Sequence, residues 1–288
     1  MNATAITRYL SLIKFSHTIF ALPFAAIGFV LGLQKVNFQF DPKIAFKVLL
    51  CMVFARSAAM SFNRWTDQHI DKLNPRTAVR EIPSGIISSN SALAFTIINC
   101  ILFVITTWFI NPLCFYLSFV ALAVVLGYSY TKRFTALCHL ILGVGLSLAP
   151  IGSYLAITGH FDWLPLFFSF AIICWVSGFD IIYALQDEQF DRSNNLQSIP
   201  KEFGSKSAII IARNLHIASS VFLLSAGFYA HLTYIYFIGW GVFTSLLIYQ
   251  HTLVKANDLS KINLAFFTTN GLASIVFAVF VISDLILN

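Results

Sequence analysis

Residues 44–71 read IAFKVLLCMVFARSAAMSFNRWTDQHID, an apolar run that ends in a polar and charged segment. The apolar part, 44–62, is close to the ~20 residues that a helix needs to cross a bilayer. Arg56 interrupts this run, and an ionisable side chain inside a membrane span is costly and therefore indicates function. We expect a transmembrane helix whose polar end belongs to a functional site.

Apolar runs of this kind recur along the whole chain. The chain has 288 residues, of which 58% are hydrophobic and only 10% charged, with a mean hydropathy of +0.80. Soluble domains average about 25% charged residues, so this composition is typical of a polytopic membrane protein. The sequence predicts an all-α membrane protein with one domain over residues 1–288 and nine transmembrane helices, near 15–34, 44–62, 91–110, 112–130, 136–157, 163–183, 206–230, 233–251 and 262–286.

The basic residues predict the orientation in the membrane. Nine spans place the two termini on opposite faces, and 13 basic residues fall on the N-terminal side against Lys35 and Lys43 on the other. Cytoplasmic loops carry the excess of Lys and Arg, so the N-terminus is expected in the cytoplasm and the C-terminus outside a cytoplasmic (inner) membrane. This asymmetry also explains the net charge of +6 without a nucleic-acid partner.

Cysteine and histidine residues give little sign of chemistry. The five cysteines all lie in apolar segments, and no two have CxxC spacing, so we interpret them as packing residues. His139 and His216 lie within predicted helices without ligand-spaced partners, and we interpret them as packing histidines.

Two acidic segments stand out instead, about 120 residues apart, after the second and sixth predicted helices. Asn63, Asp67 and Asp71 have i, i+4, i+8 spacing, which places them on one face of an α-helix. The second segment is DIIYALQDEQFD at 180–191, and its Asp180, Asp187 and Asp191 fall within roughly 40° of one another on a helix.

Carboxylates that meet at one site repel each other unless cations neutralise them. An oxygen-only ligand set without His or Cys suits Mg²⁺, which takes carboxylates, water and substrate phosphate. If the two predicted helices are neighbours, their acidic ends can hold Mg²⁺ on a diphosphate, and nearby Arg and Lys can bind the remaining phosphate oxygens. Either segment alone could equally be a solvated helix end, but the repeated spacing favours the metal site.

At these residues the chain resembles the UbiA superfamily of intramembrane aromatic prenyltransferases. The first family motif is matched by NRWTDQHID at 63–71, followed by NPRT at 74–77 and PSG at 83–85. The second is matched by YALQDEQFD at 183–191. Further blocks, YSYTKR at 128–133 and SIPKEFG at 198–204, are similar to family segments, so the matches run through most of the chain.

The resemblance implies a nine-helix bundle with a cytoplasm-facing active-site cavity that binds a polyprenyl diphosphate and an aromatic carboxylate acceptor. It implies that Mg²⁺ is held by Asn63, Asp67, Asp71, Asp187 and Asp191. It suggests roles for further residues: diphosphate binding by Arg56, Arg76, Lys132 and Arg133, shielding of the allylic cation by Tyr128 and Tyr183, and acceptor binding by Lys14 and His17.

The sequence also departs from the family pattern. Glu81 stands where RPLPSG motifs have Pro, and Asn195 stands at the position of a common Gly, where Asn tolerates a left-handed backbone. The segment LIKFSHTIFALPFA at 12–25 is closer to a 4-hydroxybenzoate transferase-like subgroup, part of which is associated with menaquinone made by the futalosine route. The acceptor is therefore either 4-hydroxybenzoate-like, as for ubiquinone biosynthesis, or a dihydroxynaphthoate.

The implied reaction is an Mg²⁺-dependent transfer of a polyprenyl group to an aromatic ring. Asp180 lies on the Asp187 face but deeper in the membrane, where it could position the acceptor, take up its proton or pair with Arg56. Two alternatives stay open. One is a secondary transporter of an organic anion, which also uses intramembrane acids. The other is another branch of the superfamily that prenylates haem or chlorophyll.

Overall fold

The computed structural model describes residues 5–14 and 20–288. Over these residues the chain is helical apart from loops and one isolated bridge between Lys255 and Asp258. Its α-helices are α1 (Ala5–Leu12), α2 (Leu22–Lys35), α3 (Pro42–Thr66), α4 (Gln68–Leu73), α5 (Ser89–Trp108), α6 (Pro112–Thr131), α7 (Cys138–Thr158), α8 (Trp163–Ala184), α9 (Glu188–Ser193), α10 (Ile199–Tyr229), α11 (Tyr234–Leu253) and α12 (Asn270–Leu287). A 3₁₀ turn, Leu185–Asp187, joins α8 to α9, and a π-helical turn, Leu264–Thr269, leads into α12.

Seven helical stretches of the described chain are long and apolar enough to cross a membrane. The all-α, multi-pass prediction is therefore confirmed, whereas the count of nine is not. The two differences are α2, which has only 14 described residues, and α11, which has the length but is not among the seven. Part of the first predicted span, residues 15–19, lies outside the described residues.

The chain forms two compact units, one made of Met1–Thr18 with Pro42–Tyr130 and the other of Ile19–Asp41 with Thr131–Asn288. Within the first unit α3 packs on α5, and α1 contacts α3. A small apolar core joins α1, the loop that follows α4 and the start of α5. It consists of Leu12, Ile82, Ile87 and Ala92. A single domain over residues 1–288 stays a prediction.

The second unit is organised around a buried aromatic cluster. Trp175 of α8 is fully buried, with ring centroids 5.3 Å from Phe24 and 5.8 Å from Phe243. Phe243 in turn lies 5.3 Å from Phe277. The indole Nε1 of Trp175 donates to Asn270 Oδ1 at 3.0 Å, so the one polar atom of this ring is satisfied inside the core.

Small residues let the helices of this unit approach closely, as is common where helices pack in membranes. At Gly28 of α2, an added Cβ would lie only 2.0 Å from the carbonyl oxygen of Pro150 on α7. At Gly178 of α8, it would lie 2.3 Å from the ring of His216 on α10. The second of these contacts holds α8, which leads into the second acidic segment, closely against α10.

Candidate active site

The first acidic segment lies where α3 gives way to α4. The two helices are separated at Asp67, whose backbone (φ −93°, ψ 5°) departs from ideal helix geometry, so the predicted single continuous helix is wrong at this residue. The i+4 backbone bonds nevertheless persist, from Asp67 N to Asn63 O and from Asp71 N to Asp67 O. Asn63 Nδ2 also donates to Asp67 Oδ2 at 3.2 Å. Asn63, Asp67 and Asp71 therefore remain linked in steps of four residues despite the break.

Asp71 is buried and paired with a base that our sequence prediction did not include. Arg80 Nη1 lies 2.7 Å from Asp71 Oδ1 and 2.8 Å from Oδ2. Only 7% of the Asp71 side chain is exposed, against 24% of Arg80. Arg80 lies nine residues after Asp71, in the loop that begins with the NPRT segment. Its position beside this motif is the sequence feature that could have identified it as a site residue.

Two further charged residues of this unit are buried close to that pair. Arg64 is 4% exposed, and its Nε and Nη1 lack hydrogen bonds of normal geometry to described residues. Glu81, the departure from the family pattern, is 8% exposed and accepts a hydrogen bond from Ser11 Oγ at 2.5 Å. The replacement of Pro by Glu therefore gives the site an additional buried carboxylate.

Arg56 lies on α3, in the membrane-spanning part of the helix. Its Nη2 donates to the backbone carbonyl of Lys14 at 3.2 Å. This contact ties α3 to the segment that holds the predicted acceptor-binding residues. Lys14 itself has a left-handed backbone (φ 46°), and His17 lies outside the described residues.

The NPRT and PSG segments act as turns. Asn74 caps the first turn, with its Oδ1 accepting from Arg76 N at 3.0 Å and its carbonyl accepting from Thr77 N at 2.9 Å. Asx turns of this type are the usual reason for Asn at such positions. Gly85 has a φ of 77°, which favours glycine at the end of PSG. The side chain of Arg76, a predicted phosphate ligand, is exposed.

The second acidic segment also departs from a continuous helix. The 3₁₀ turn places Asp187 at its end, before α9 carries Asp191. Both carboxylates are buried, Asp187 with 8% and Asp191 with 0% exposure. Lys132 Nζ lies 2.7 Å from Asp191 Oδ1, and Asp191 Oδ2 lacks a hydrogen bond of normal geometry. A base predicted to bind diphosphate therefore neutralises an acid predicted to bind metal.

The loop after α9 holds this pair in place. Gln197 N donates to the carbonyl of Lys132 at 2.7 Å, and Leu196 N donates to that of Asp191 at 3.0 Å. Asn195 has a φ of 54°, as expected for an Asn at the position of a glycine. Ser198 then caps α10 by accepting from Lys201 N.

The two predicted tyrosines are partly buried. The ring of Tyr183 lies 4.1 Å from that of Phe266 in the second unit. Tyr128 belongs to the first unit and is half-buried, as is Arg133 in the second. Their assigned roles stay predictions.

Asp180 has a partner that we had interpreted as a packing residue. His139 Nδ1 lies 2.6 Å from Asp180 Oδ2. The alternative pairing of Asp180 with Arg56 stays a prediction. The i, i+3 and i+4 patterns on which we relied reach only along one helix, and these two residues are 41 positions apart.

The described residues contain no group of three or more His, Cys, Asp or Glu side chains that could hold a metal ion by itself. They do supply oxygen donors in pairs, Asn63 with Asp67 and Asp187 with Asp191. Mg²⁺ usually takes one or two protein carboxylates and completes its shell with water and substrate phosphate. These oxygen-only pairs therefore fit Mg²⁺ that arrives with a phosphate ligand. Convergence of the two acidic segments on one ligand stays a prediction.

Comparison with known proteins identifies relatives of this chain. The model of the UbiA prenyltransferase family matches residues 21–272. The 4-hydroxybenzoate octaprenyltransferase of Psychromonas ingrahamii is 31% identical over 227 residues, which cover 77% of this chain and 77% of that protein. Among solved structures, the apo UbiA homologue from Aeropyrum pernix K1 is 27% identical, with a TM-score of 0.79 over 94% of this chain and 97% of that one. The homologue from Archaeoglobus fulgidus bound to GPP and Mg²⁺ is 21% identical, with a TM-score of 0.73 over 96% and 99%.

Proposed function

This chain belongs to the UbiA prenyltransferase family, and we propose that it transfers a polyprenyl group from an allylic polyprenyl diphosphate to an aromatic ring with Mg²⁺ as cofactor. The observation that carries this proposal is the charge pairing in the two acidic segments. Asp71 is paired with Arg80, and Asp191 with Lys132. Buried acids and bases in this balance suit a site that receives a divalent cation together with a polyanion.

The basic residues are proposed to change partners when the substrate binds. Without ligand, Lys132 neutralises the buried Asp191. On binding of the diphosphate, the Lys132 ammonium is proposed to turn from Asp191 to the phosphate oxygens, and Arg80 from Asp71 in the same way, since both donors form charge-assisted hydrogen bonds with phosphate. When bound, Mg²⁺ supplies positive charge that stabilises the leaving diphosphate, and it would be held by Asn63, Asp67, Asp71, Asp187 and Asp191. Arg56, Arg76 and Arg133 are proposed as further diphosphate contacts.

The remaining groups act on the carbon skeleton. As the allylic C–O bond breaks, its electron pair leaves with the diphosphate, and a ring carbon of the acceptor bonds to the allylic carbon. Tyr128 and Tyr183 are proposed to shield the developing cation with their rings. Asp180 is proposed to take up the proton that the acceptor loses. Apolar side chains around the allylic cation are proposed to exclude water, which would otherwise react with the cation to give an alcohol.

We propose that the acceptor is an aromatic carboxylate used in quinone biosynthesis. The name of the P. ingrahamii relative supports 4-hydroxybenzoate, whereas the segment at 12–25 is compatible with either 4-hydroxybenzoate or a dihydroxynaphthoate. Lys14 and His17 are proposed to bind the carboxylate. The family match favours transfer over the alternative of anion transport. Haem and chlorophyll prenylation remain as other acceptor classes.

The enzyme is a multi-pass membrane protein, and we propose that it lies in the cytoplasmic (inner) membrane with the N-terminus in the cytoplasm. The apolar helices would allow a long prenyl chain to enter from the bilayer, while the polar diphosphate stays at the cytoplasmic face. The cytoplasmic loops carry most of the basic residues, which supports this orientation.

The proposal is tested by prenyl transfer in washed membranes that contain the chain. The assay supplies Mg²⁺, an allylic polyprenyl diphosphate and either 4-hydroxybenzoate or 1,4-dihydroxy-6-naphthoate, with the product identified by mass spectrometry. We expect product with one of the rings, and its loss on addition of EDTA. Asp67→Ala and Asp187→Ala should each lower the rate by about 100-fold or more, because both carboxylates stabilise the reacting centre.

Asp258→Ala is the matched control, since Asp258 is an exposed loop acid outside both acidic segments. It should leave the rate unchanged. Absence of product with either ring, with both Asp variants still binding prenyl diphosphate like the original chain, would overturn the metal-site proposal. A product that persists in EDTA would overturn the Mg²⁺ requirement alone.

A further inference from the structure

His139 and Asp180 form a pair that three helices of the second unit hold in place. His139 is in the first turn of α7, Asp180 is near the end of α8, and the Nδ1 to Oδ2 distance is 2.6 Å. The Ser177 hydroxyl of α8 also lies 3.1 Å from the backbone carbonyl of His139, and its shorter contact of 2.6 Å is with the carbonyl of Ile173 on its own helix. The third helix contributes Ile199, at the start of α10.

The contact with Ile199 determines how the imidazole is protonated. Ile199 N–H points to His139 Nε2 at 3.4 Å, so this nitrogen acts as an acceptor. The neutral ring then carries its proton on Nδ1, which donates to the Asp180 carboxylate. The N–H of Ile199 belongs to the first turn of α10, where backbone donors have no partner within the helix. The helix start therefore selects the tautomer that binds Asp180.

The two side chains differ in how far solvent can reach them. The His139 side chain is 4% exposed and the Asp180 side chain is 23% exposed. The imidazole lies on the buried side of the pair, and the accessible group is the carboxylate. A reacting molecule can therefore approach Asp180 but not His139.

We propose that His139 is a positioning residue for the prenyl transfer, holding Asp180 in the rotamer in which it accepts the proton of the aromatic acceptor. This inference rests on the proposed function and deepens it. In the step, the allylic C–O bond breaks and its electrons leave with diphosphate, the ring carbon forms the new C–C bond, and the proton lost by the ring passes to the Asp180 carboxylate. His139 keeps its own Nδ1 proton throughout.

The proposal predicts a defect in the acceptor half of the reaction alone. Purified full-length chain in lipid nanodiscs is assayed with the ring that the original chain prenylates. His139→Leu should lower kcat/KM for the ring by about 10- to 100-fold, the range expected when a hydrogen bond that orients a reacting group is lost. Its Kd for a non-hydrolysable prenyl thiodiphosphate with Mg²⁺ should stay within about twofold of the original.

Three further variants separate positioning from folding. His139→Asn places an amide N–H where Nδ1–H was, so it should recover most of the rate. His160→Leu, at an exposed histidine in the loop just beyond the other end of α7, should behave like the original chain. In an Asp180→Asn background, His139→Leu should cause no further loss, because both residues act through one carboxylate.

Three outcomes would overturn the inference. They are an unchanged rate in His139→Leu, losses in the double variant that multiply, and a loss of thiodiphosphate binding that parallels the loss of rate. Failure of the proposed function would look different, because the original chain would then prenylate neither ring, and that outcome overturns both.

Discussion

At the scale of single residues, the most informative group is the buried carboxylate of Asp71. Its described ionic partner is Arg80, and the pair lies in the loop-rich end of the first unit. If Arg80 is removed, the carboxylate remains buried and loses the ion pair that both of its oxygens make. Truncation of Arg80 therefore tests whether charge balance stabilises the first acidic segment before any ligand binds.

We expect Arg80→Ala to lower the free energy of unfolding by about 2–3 kcal/mol, somewhat below the loss for a fully buried ion pair because Arg80 is a quarter exposed. Denaturant-induced unfolding in detergent micelles measures this change. Arg192→Ala is the control, since Arg192 is 63% exposed in its pair with Glu188 and should contribute under about 0.5 kcal/mol. Equal losses in the two variants would contradict the argument.

A second residue-scale prediction concerns Asp162, in the loop between α7 and α8. Partial burial raises the pKa of this carboxyl, but the hydrogen bond from Lys35, the N–H of Trp163 and the Lys35 charge together hold it below its ordinary value of 3.8. A lowered pKa in the folded state stabilises the fold above pH 3.8, and this contribution is lost as the pH falls through the folded pKa.

Lys35→Met should therefore be less stable than the original chain at pH 7, by about 0.5–1 kcal/mol given that Lys35 is half exposed. The difference should shrink as the pH falls below 3.8 and through the lower pKa of the folded state, because Asp162 then becomes neutral in both chains. Unfolding curves at several pH values give the comparison. A difference that stays constant down to pH 3 would show that Lys35 acts through packing instead.

At the scale of helices, close packing between α2 and α7 depends on Gly28. A Cβ there would meet the backbone of Pro150 at 2.0 Å, and a backbone cannot move aside as a flexible side chain can. We expect Gly28→Ala to destabilise the protein by about 1–3 kcal/mol, as overpacking in a dense core does. Gly152→Ala is the control, because nothing lies within 4 Å of an added Cβ at this exposed position of α7. The melting temperatures of the two variants in detergent should differ accordingly.

Hydropathy predicted the long helices well. Predicted and observed bounds agree within a few residues for α5 to α8, since these are set by loss of apolar character and by Pro112 and Gly159. The main exception is α10, which begins at Ile199 because Ser198 and Pro200 start a short turn before the break at Gly204. Hydropathy does not detect such a polar first turn.

The spacing of the acidic residues predicts where the two acidic segments lie, but it does not predict their backbone geometry. An uninterrupted helix was assumed, whereas Asp67 and the turn ending at Asp187 each break it. Nothing in the local spacing distinguishes these breaks, which depend on the following loops. Residue spacing also does not reveal contacts between residues that are distant in the sequence. The predicted site therefore lacks both the pairing of His139 with Asp180 and the residue Arg80.

At the scale of the whole molecule, the membrane explains why the charged groups of the site are expected at one face of the protein. A prenyl chain is soluble in the bilayer and its diphosphate in water, so a transferase that joins it to a polar ring benefits from having its charged groups at one face. Residues 63–90 and 184–206, which contain the two acidic segments, carry seven of the 18 Lys and Arg residues. The basic residues that are proposed to bind the diphosphate are therefore also expected to orient the protein in the membrane.

This orientation predicts which loops a membrane-impermeant maleimide can reach. The test uses a background in which the five cysteines are replaced by Ala, with one cysteine restored at a time. Lys255→Cys, in the loop after α11, should react in inverted vesicles and be protected in right-side-out ones. Gln39→Cys, between α2 and α3, should behave in the opposite way, because both loops are exposed and differ only in their side of the membrane. If the two sites react from the same side, the number of spans between them is even and the predicted topology is wrong. If both simply exchange sides, the spans are correct and the basic residues do not set the orientation.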